Sequence, residues 1–119
     1  MTSITVEQTF ESAHQLPFVE PGHKCGRMHG HFYRVALELT GDVGPKGFIR
    51  DFSEVKTAWS DLHGQLDHHT LNDVPGLENP TAEILAEWIF NNLADRIPEL
   101  SQVTVWETAK CSATYRLSV

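Results

Sequence analysis

The sequence predicts a small α+β domain in which two helices cover one face of a mainly antiparallel sheet. Three observations support this class. Apolar and polar residues alternate near both ends of the chain, a pattern typical of strands with one buried face. Two central stretches instead repeat apolar residues at helical spacing. The predicted order, β-β-β-α-α-β-β with short strand connections, favours an antiparallel sheet with helices on one side.

The first half of the chain is predicted to contain three strands. Residues 4–10 alternate β-branched and polar side chains, so a strand is expected to run on towards His14. Residues 15–30 contain two prolines and three glycines and are predicted to form a loop. Alternation returns over residues 31–40, and residues 48–52 are predicted to form a further short strand. The expected buried face of the second strand consists of Tyr33, Val35, Leu37 and Leu39.

Two helices and two strands are predicted for the second half. Asp51 or Ser53 can cap the first helix. Residues 79–81 (Asn-Pro-Thr) are typical of a helix start, because proline is tolerated in the first turn. The expected apolar faces are Val55, Trp59, Leu62 and Leu66 in the first helix and Ile84, Leu85, Trp88, Leu93 and Ile97 in the second. Residues 103–108 and 113–119 are predicted to close the chain as two strands.

Length and composition limit the function classes. A chain of 119 residues is the size of one domain, predicted over residues 1–119. Nine Lys and Arg residues against sixteen Asp and Glu residues give a net charge of −7, which argues against a basic surface for nucleic acid or an anionic membrane. No apolar run approaches the ~18 residues of a membrane span, and no basic signal-peptide region begins the chain. Together with two widely spaced cysteines, these features predict a reduced, cytoplasmic protein.

The face of the predicted sheet that points away from the helices carries few large apolar residues. Arg34, Glu38 and Thr104 are expected on it. A small sheet with open edges often assembles with copies of itself. The pattern is therefore compatible with a homo-oligomer as well as with a monomer.

Seven histidines are a high number for a small acidic chain, and His29-Gly30-His31 is the sharpest local signal. Residues i and i+2 of a strand project to the same face, so both imidazoles can reach one ion. His14, at the end of the preceding strand, is the natural third ligand. Three imidazole nitrogens leave a fourth zinc position open, as in catalytic zinc sites. The alternative is that the two histidines occur by chance on an exposed strand end.

Cys25 lies four residues before His29 and is flanked by Lys24 and Arg27. Nearby cations and a metal would favour the thiolate, which is the form that acts as a base or nucleophile. Two alternatives remain for Cys25. It is either a fourth metal ligand in a closed structural site or a small buried residue without a chemical role.

A second candidate cluster is Asp67-His68-His69. A carboxylate beside an imidazole can fix the tautomer and raise the basicity of the ring, as in general acid–base pairs. The alternative is a solvated loop. Glu107 ends an apolar strand, where its carboxylate is either solvated or buried and bonded to N–H groups of a ligand.

The remaining histidines and motif searches indicate no further functional site. His23 and His63 are expected to be exposed loop and helix-end residues. The sequence contains no G-x-G-x-x-G or P-loop motif and no H-E-x-x-H motif. Sequence motifs therefore support neither a nucleotide cofactor nor a common type of zinc protease.

Five short motifs follow one another along the chain: FESAH (10–14), CGRMHGH (25–31), LDHHTLN (66–72), NPTAE (79–83) and WET (106–108). Together they resemble the 6-pyruvoyl tetrahydropterin synthase family over nearly the whole chain. Each motif alone is weakly specific, whereas five in register are a specific signal. The three residues between Cys25 and His29 resemble the short loop of the 6-carboxytetrahydropterin branch of that family.

The resemblance implies a role for each matching residue. The implied zinc ligands are His14, His29 and His31. The implied catalytic residues are Cys25 as general base, Asp67 with His68 as a charge-relay pair opposite it, and Glu107. Glu107, together with Thr108, is also implied to bind the pterin ring. Lys24 and Arg27 are expected to contact a triphosphate.

The resemblance also implies an assembly and a reaction. In the tunnelling fold, subunits pair their sheets into a barrel, usually as two stacked trimers, with sites between subunits. The implied reaction converts 7,8-dihydroneopterin triphosphate to 6-carboxytetrahydropterin, releasing acetaldehyde and triphosphate, in queuosine (7-deazapurine) biosynthesis. Two alternatives remain: triphosphate elimination alone, as in 6-pyruvoyl synthases, or a non-catalytic assembly module that binds zinc and pterin. No nucleic acid or membrane partner is expected.

Overall fold

Four antiparallel strands lie side by side in chain order, and two helices pack on one face of the sheet. This computed structural model describes residues 1–117. The strands are β1 (Thr2–His14), β2 (His29–Gly41), β3 (Leu100–Trp106) and β4 (Ser112–Arg116), and the helices are α1 (Phe52–Leu66) and α2 (Ala82–Leu93). The predicted α+β class is therefore confirmed. The last two residues of the predicted final strand, 118 and 119, lie outside the described part.

β1 and β2 pair along their whole length, and their register decides which side chains share a face. Phe10 lies opposite Tyr33, and His14 lies opposite His29. Because side chains alternate between the two faces of a strand, all four point toward the helices. β2 begins two residues earlier than predicted, so that His29 belongs to the strand. The strand residues buried in the core on this face are Val6, Phe10, Tyr33, Val35, Leu37, Leu39, Val103 and Val105.

α1 begins as predicted. The Asp51 carboxylate caps it by accepting a hydrogen bond from the Ser53 amide at 2.9 Å. This bond satisfies one of the amide groups that the first turn of a helix leaves without a partner. The predicted apolar face is buried against the sheet: Val55, Trp59, Leu62 and Leu66.

α2 differs from the prediction in its start and in its buried face. Thr81 caps the helix from outside, so Pro80 precedes the first turn. Ile84 is exposed, and Ile97 is buried beyond the helix end at Leu93. Leu85 and Leu93 are buried as predicted, and the buried stripe also contains Ala86, Ile89 and Phe90. Within residues 1–117, no helix has the length and apolar character needed to span a bilayer.

Residues 48–52 do not form the predicted strand. A strand needs a neighbour to pair with, and residues 48–51 pair with none of the four strands, while Phe52 already begins α1. The chain bends here instead, and the Arg50 guanidinium bonds Glu99 at 2.7 and 3.1 Å and Glu54 at 2.8 Å. Arg50 therefore ties the start of α1 to the residue before β3.

The segment that follows α1 covers part of the free edge of β1. The His68 amide donates to the Glu11 carbonyl at 2.6 Å, and the Ala13 amide donates to the His69 carbonyl at 3.0 Å. The buried Ser12 hydroxyl donates to the His69 carbonyl at 2.7 Å and also contacts the Leu66 carbonyl. These bonds hold residues 67–70 beside the end of β1 where the histidine cluster lies.

The other face of the sheet is bare among the residues described. Phe32 is 61% exposed on it. The Arg34 guanidinium lies 3.8 Å from the centre of the Trp106 ring and 2.9 Å from the Glu7 carboxylate. This face, predicted to carry few large apolar side chains, therefore presents a mixed aromatic and charged surface.

Candidate active site

Three histidines form a cluster at the end of the apolar core. His14 is the last residue of β1 and lies opposite His29, the first residue of β2, while His31 follows two residues later on the same face. One ring nitrogen from each lies within 4.8 Å of the others. The i, i+2 spacing and the antiparallel register bring together three side chains that the sequence placed in one predicted metal site.

The tautomers of two rings can be derived from their partners. His14 Nδ1 lies 2.8 Å from the Pro80 carbonyl oxygen, and His29 Nδ1 lies 2.6 Å from that of Arg27. Because a carbonyl oxygen only accepts, each Nδ1 carries the hydrogen and each Nε2 carries a lone pair. The two Nε2 atoms stand 2.9 Å apart. Two lone pairs at that distance repel each other unless a cation lies between them.

The environment of His31 also favours a bound metal. Its Nε2 is buried and has no hydrogen-bond partner among residues 1–117. Burial is the main cause that lowers the pKa of His14 and of His31, and neighbouring imidazoles lower both further, while Glu107 opposes the shift. Both rings therefore favour the neutral form, which is the form that binds a metal. Three imidazole nitrogens of this kind fit a zinc ion.

Tyr33 lies beneath the cluster and is fully buried. Its hydroxyl oxygen is 3.2 Å from His14 Nδ1, and its ring stacks on Phe10 with centroids 4.7 Å apart. Burial, assisted by the charge of Glu107, raises the pKa of the phenol well above its usual value. The Tyr33 hydroxyl therefore keeps its proton at neutral pH.

Cys25 lies beside the cluster. It belongs to a short 3-10 turn, Lys24–Gly26, and lines a cavity of about 310 Å³ together with Lys24, His29 and His31. The Leu16 amide donates to the Cys25 carbonyl at 2.9 Å. The structure thus brings Cys25 and Lys24 to the metal cluster, whereas Arg27 lines a neighbouring groove formed by the loop after β1.

His23 has a role in the structure that the sequence did not predict. Its ring is exposed, as expected, but Nδ1 accepts a hydrogen bond from the Cys25 amide at 3.0 Å and so caps the turn that carries the thiol. An acceptor side chain immediately before the turn, two residues before Cys25, was the available signal. Together with the bond from Leu16, this cap fixes the backbone of Cys25 on both sides.

Replacing His23 by Ala is expected to loosen this turn. The variant lacks the acceptor for the Cys25 amide, and a cap of this kind is typically worth about 1 kcal/mol, so exchange of that amide hydrogen should accelerate about fivefold. His23→Asn offers a side-chain oxygen and should retain most of the protection. Hydrogen exchange followed by NMR measures both, and equal exchange in His23→Ala and the parent protein contradicts the capping role.

Glu107 approaches the cluster from β3. It follows the last residue of that strand, and its Oε1 lies 3.9 Å from His14 Nε2 with the side chain 27% exposed. It also lines a cavity of about 540 Å³ with Thr81, Glu83 and Thr114. Thr108 is exposed, and its hydroxyl accepts from the Lys110 amide at 3.3 Å. Of this pair, only Glu107 contacts a cluster histidine within residues 1–117.

The Asp67 carboxylate and the His68 ring, predicted to act as a pair, are in contact. One Asp67 oxygen accepts from the Glu11 amide at 2.9 Å, and the other lies 2.8 Å from His68 Nδ1. The Glu11 bond and then His68 lower the pKa of Asp67, and Asp67 raises the pKa of His68. His68 has φ of 56°, in the left-handed region that histidine tolerates better than most residues. The ring is 74% exposed.

The pair does not share a cavity with Cys25. His68 lines a separate cavity of about 550 Å³ with Glu11 and Phe32, residues of the bare side of the sheet, and only His31 contributes to both cavities. The chain therefore presents two half-sites. One contains the three histidines, Cys25 and Glu107; the other contains Asp67 and His68.

Comparisons with known proteins show which sequences and structures this chain is similar to. The family model described as 6-pyruvoyl tetrahydropterin synthase matches residues 3–118. A 6-carboxy-5,6,7,8-tetrahydropterin synthase from Synechocystis sp. is 42% identical over 97% of this chain and 93% of its own length. Another from Bacillus subtilis is 33% identical over 88% and 78%. The solved structure of Caenorhabditis elegans 6-pyruvoyl tetrahydropterin synthase has a TM-score of 0.86 at 29% identity, covering 99% of this chain and 98% of that chain.

Proposed function

Because this chain belongs to the 6-pyruvoyl tetrahydropterin synthase family, we propose that it is a zinc-dependent lyase that makes 6-carboxytetrahydropterin from 7,8-dihydroneopterin triphosphate. Acetaldehyde and triphosphate are the other products, and queuosine biosynthesis is the proposed pathway. The 42% identical relative carries the name of this synthase. The observation that supports the proposal most is that Cys25 lines one cavity with two cluster histidines while Glu107 approaches the third.

The proposed metal ligands are His14, His29 and His31. The paired Nε2 lone pairs and the unpartnered Nε2 of His31 support this assignment. Bound there, zinc would supply Lewis-acid stabilisation of negative charge that develops on the oxygens of the substrate side chain.

The remaining chemistry is proposed for side chains around the cluster. Cys25, as a thiolate, accepts a proton from a carbon of the substrate side chain, since it lies beside the cluster histidines. The triphosphate leaves with the electron pair of the broken C–O bond, and Lys24 stabilises its charge from the same cavity, with Arg27 as a proposed outer contact. Glu107, assisted by Thr108, accepts hydrogen bonds from N–H groups of the pterin ring and so orients it.

The second half-site is proposed to complete the first in an assembly. Asp67 raises the pKa of His68, so that His68 retains a proton that it can transfer to the substrate. Because its cavity lies on the bare side of the sheet, we assign the pairing of His68 with Cys25 to two copies of the chain. A trimer-based homo-oligomer, two stacked trimers in the full assembly, would also cover Phe32 and the edges of the sheet.

A product assay tests the proposed reaction. Zinc-loaded protein is incubated with 7,8-dihydroneopterin triphosphate, the pterin is identified by mass, and acetaldehyde is captured. A 6-carboxy product with acetaldehyde supports the proposal. A 6-pyruvoyl product with triphosphate alone shows the simpler elimination, and no turnover with any pterin triphosphate supports a non-catalytic binding module.

Replacing Glu107 by Gln is expected to weaken substrate binding without unfolding the protein. A hydrogen bond to a charged acceptor contributes about 1.5–3 kcal/mol, so KM should rise about 10- to 100-fold, with kcat less affected. Glu87, an exposed carboxylate on α2, is the matched control, and Glu87→Gln should leave KM unchanged. Steady-state kinetics and a thermal melt check this. A lowered melting temperature with unchanged KM would assign Glu107 a structural role instead.

A further inference from the structure

Tyr33 connects the apolar core with the histidine cluster. It lies two residues after His31 on the same face of β2 and opposite Phe10 on β1. Its ring makes edge contacts with His14 and His31, at centroid distances of 6.0 and 5.5 Å. One face of the ring is held by stacking on Phe10, with an interplanar angle of 10°. The position of the hydroxyl is therefore set by the rigid packing of the core.

The hydroxyl contacts the side of His14 that faces away from the cluster. His14 Nδ1–H points at the Pro80 carbonyl at 2.8 Å, and the Tyr33 oxygen lies 3.2 Å from the same nitrogen. The N–H is thus shared between two acceptors. Both acceptors are buried, as is His14, which is 1% exposed. Water therefore has no access to replace either contact.

We propose that Tyr33 is a positioning residue for the metal: its hydroxyl, together with the Pro80 carbonyl, holds the His14 imidazole so that Nε2 faces His29 and His31. The proposal rests on the zinc site assigned above. Partners of this kind fix the tautomer and orientation of a ligating imidazole, and their loss typically costs about 10- to 100-fold in metal affinity. Pro80 supplies a main-chain group that substitution cannot remove, so Tyr33 is the part of this support that can be tested.

The test compares zinc affinity in Tyr33→Phe and the parent protein. Phe keeps the ring, the stacking on Phe10 and nearly the same volume, so only the hydroxyl is lost. We expect the zinc Kd, measured by competition with a chelator, to rise about tenfold, the lower end of the range because Pro80 remains. The absorption bands of the Co²⁺-substituted variant should shift, since the His14 ring is less well held. Tyr115→Phe is the matched control, because Tyr115 is half-buried on β4 and packs on Phe90.

Thermal unfolding separates positioning from general stability. If Tyr33 positions His14, the metal-free Tyr33→Phe and parent proteins should melt at similar temperatures. The increase in Tm on adding zinc should then be smaller in the variant. Equal zinc Kd values in the two proteins overturn the proposal and leave the zinc site intact. An equal loss of Tm with and without zinc assigns Tyr33 to the core and also overturns it. If the parent protein itself fails to bind zinc, both the zinc assignment and this inference are wrong.

Discussion

Metal-free protein is expected to show no detectable turnover, with activity restored by one equivalent of zinc per chain. The physical reason is that the three neutral imidazoles have no other means of stabilising charge on the substrate oxygens, a contribution of several kcal/mol or about 10³-fold in rate. Dialysis against a chelator, followed by metal analysis and the product assay, measures the effect.

His29→Ala should likewise lose zinc and turnover, and the variant should remain folded. His29 lies at the first position of β2 and is only partly buried, so its removal leaves the core side chains beneath it in place. His63→Gln, a change on α1 outside the cluster, is the control and should keep the metal content of the parent protein. Full activity of a metal-free preparation would contradict the metal assignment.

Two inactive variants are expected to restore activity when they assemble together. Cys25→Ala and His68→Ala should each lower kcat by about 10²- to 10⁴-fold while retaining zinc, because each lacks one proton-transfer group. In a mixed oligomer, a site that takes Cys25 from one copy and His68 from a neighbour is intact in about one case in four. Co-expression of the two variants should therefore regain about one quarter of the activity of the parent protein.

Co-expression of the two variants distinguishes a site shared by two chains from a site within one chain. Isolation of hetero-oligomers through tags of different kinds on the two variants shows that mixing has occurred. Mixed oligomers that stay inactive would place Cys25 and His68 of the same chain in each site, against the separation of their cavities. Loss of stoichiometric zinc in Cys25→Ala would instead identify Cys25 as a fourth ligand.

Local patterns account for the features that the sequence predicted well. The strand faces follow from alternation, as in Tyr33 and Leu37, and the start of α1 follows from the capping carboxylate of Asp51. The failed strand at residues 48–52 has a local pattern that fits, but residues 48–51 pair with none of the four strands. Strand formation depends on a neighbour, which a local pattern does not contain. In α2 the predicted Leu85, Leu93 and Ile97 are buried, whereas the predicted Ile84 is exposed because the buried stripe passes through Ala86, Ile89 and Phe90 instead.

The sequence by itself determined the composition of the histidine cluster. His29 and His31 share a face because strand side chains repeat every two residues, and His14 ends the preceding strand. Strand periodicity places His29 and His31 on one face, and the antiparallel register of β1 and β2 then brings His14 beside them. By contrast, the partners of those rings come from distant positions: Pro80 contacts His14 across 66 residues of sequence, and Glu107 reaches it from β3.

Only the tertiary structure decided which cavities the candidate residues line, and that Cys25 and His68 line different ones. Asp67 and His68 follow α1 in sequence, and the bonds from Ser12, Ala13 and Glu11 hold them beside the edge of β1. His68 therefore lines a cavity with Glu11 and Phe32, whereas Cys25 lines another cavity with His29 and His31. The physical reason is that buried polar groups need partners, and which groups supply them depends on the packing of elements far apart in the chain.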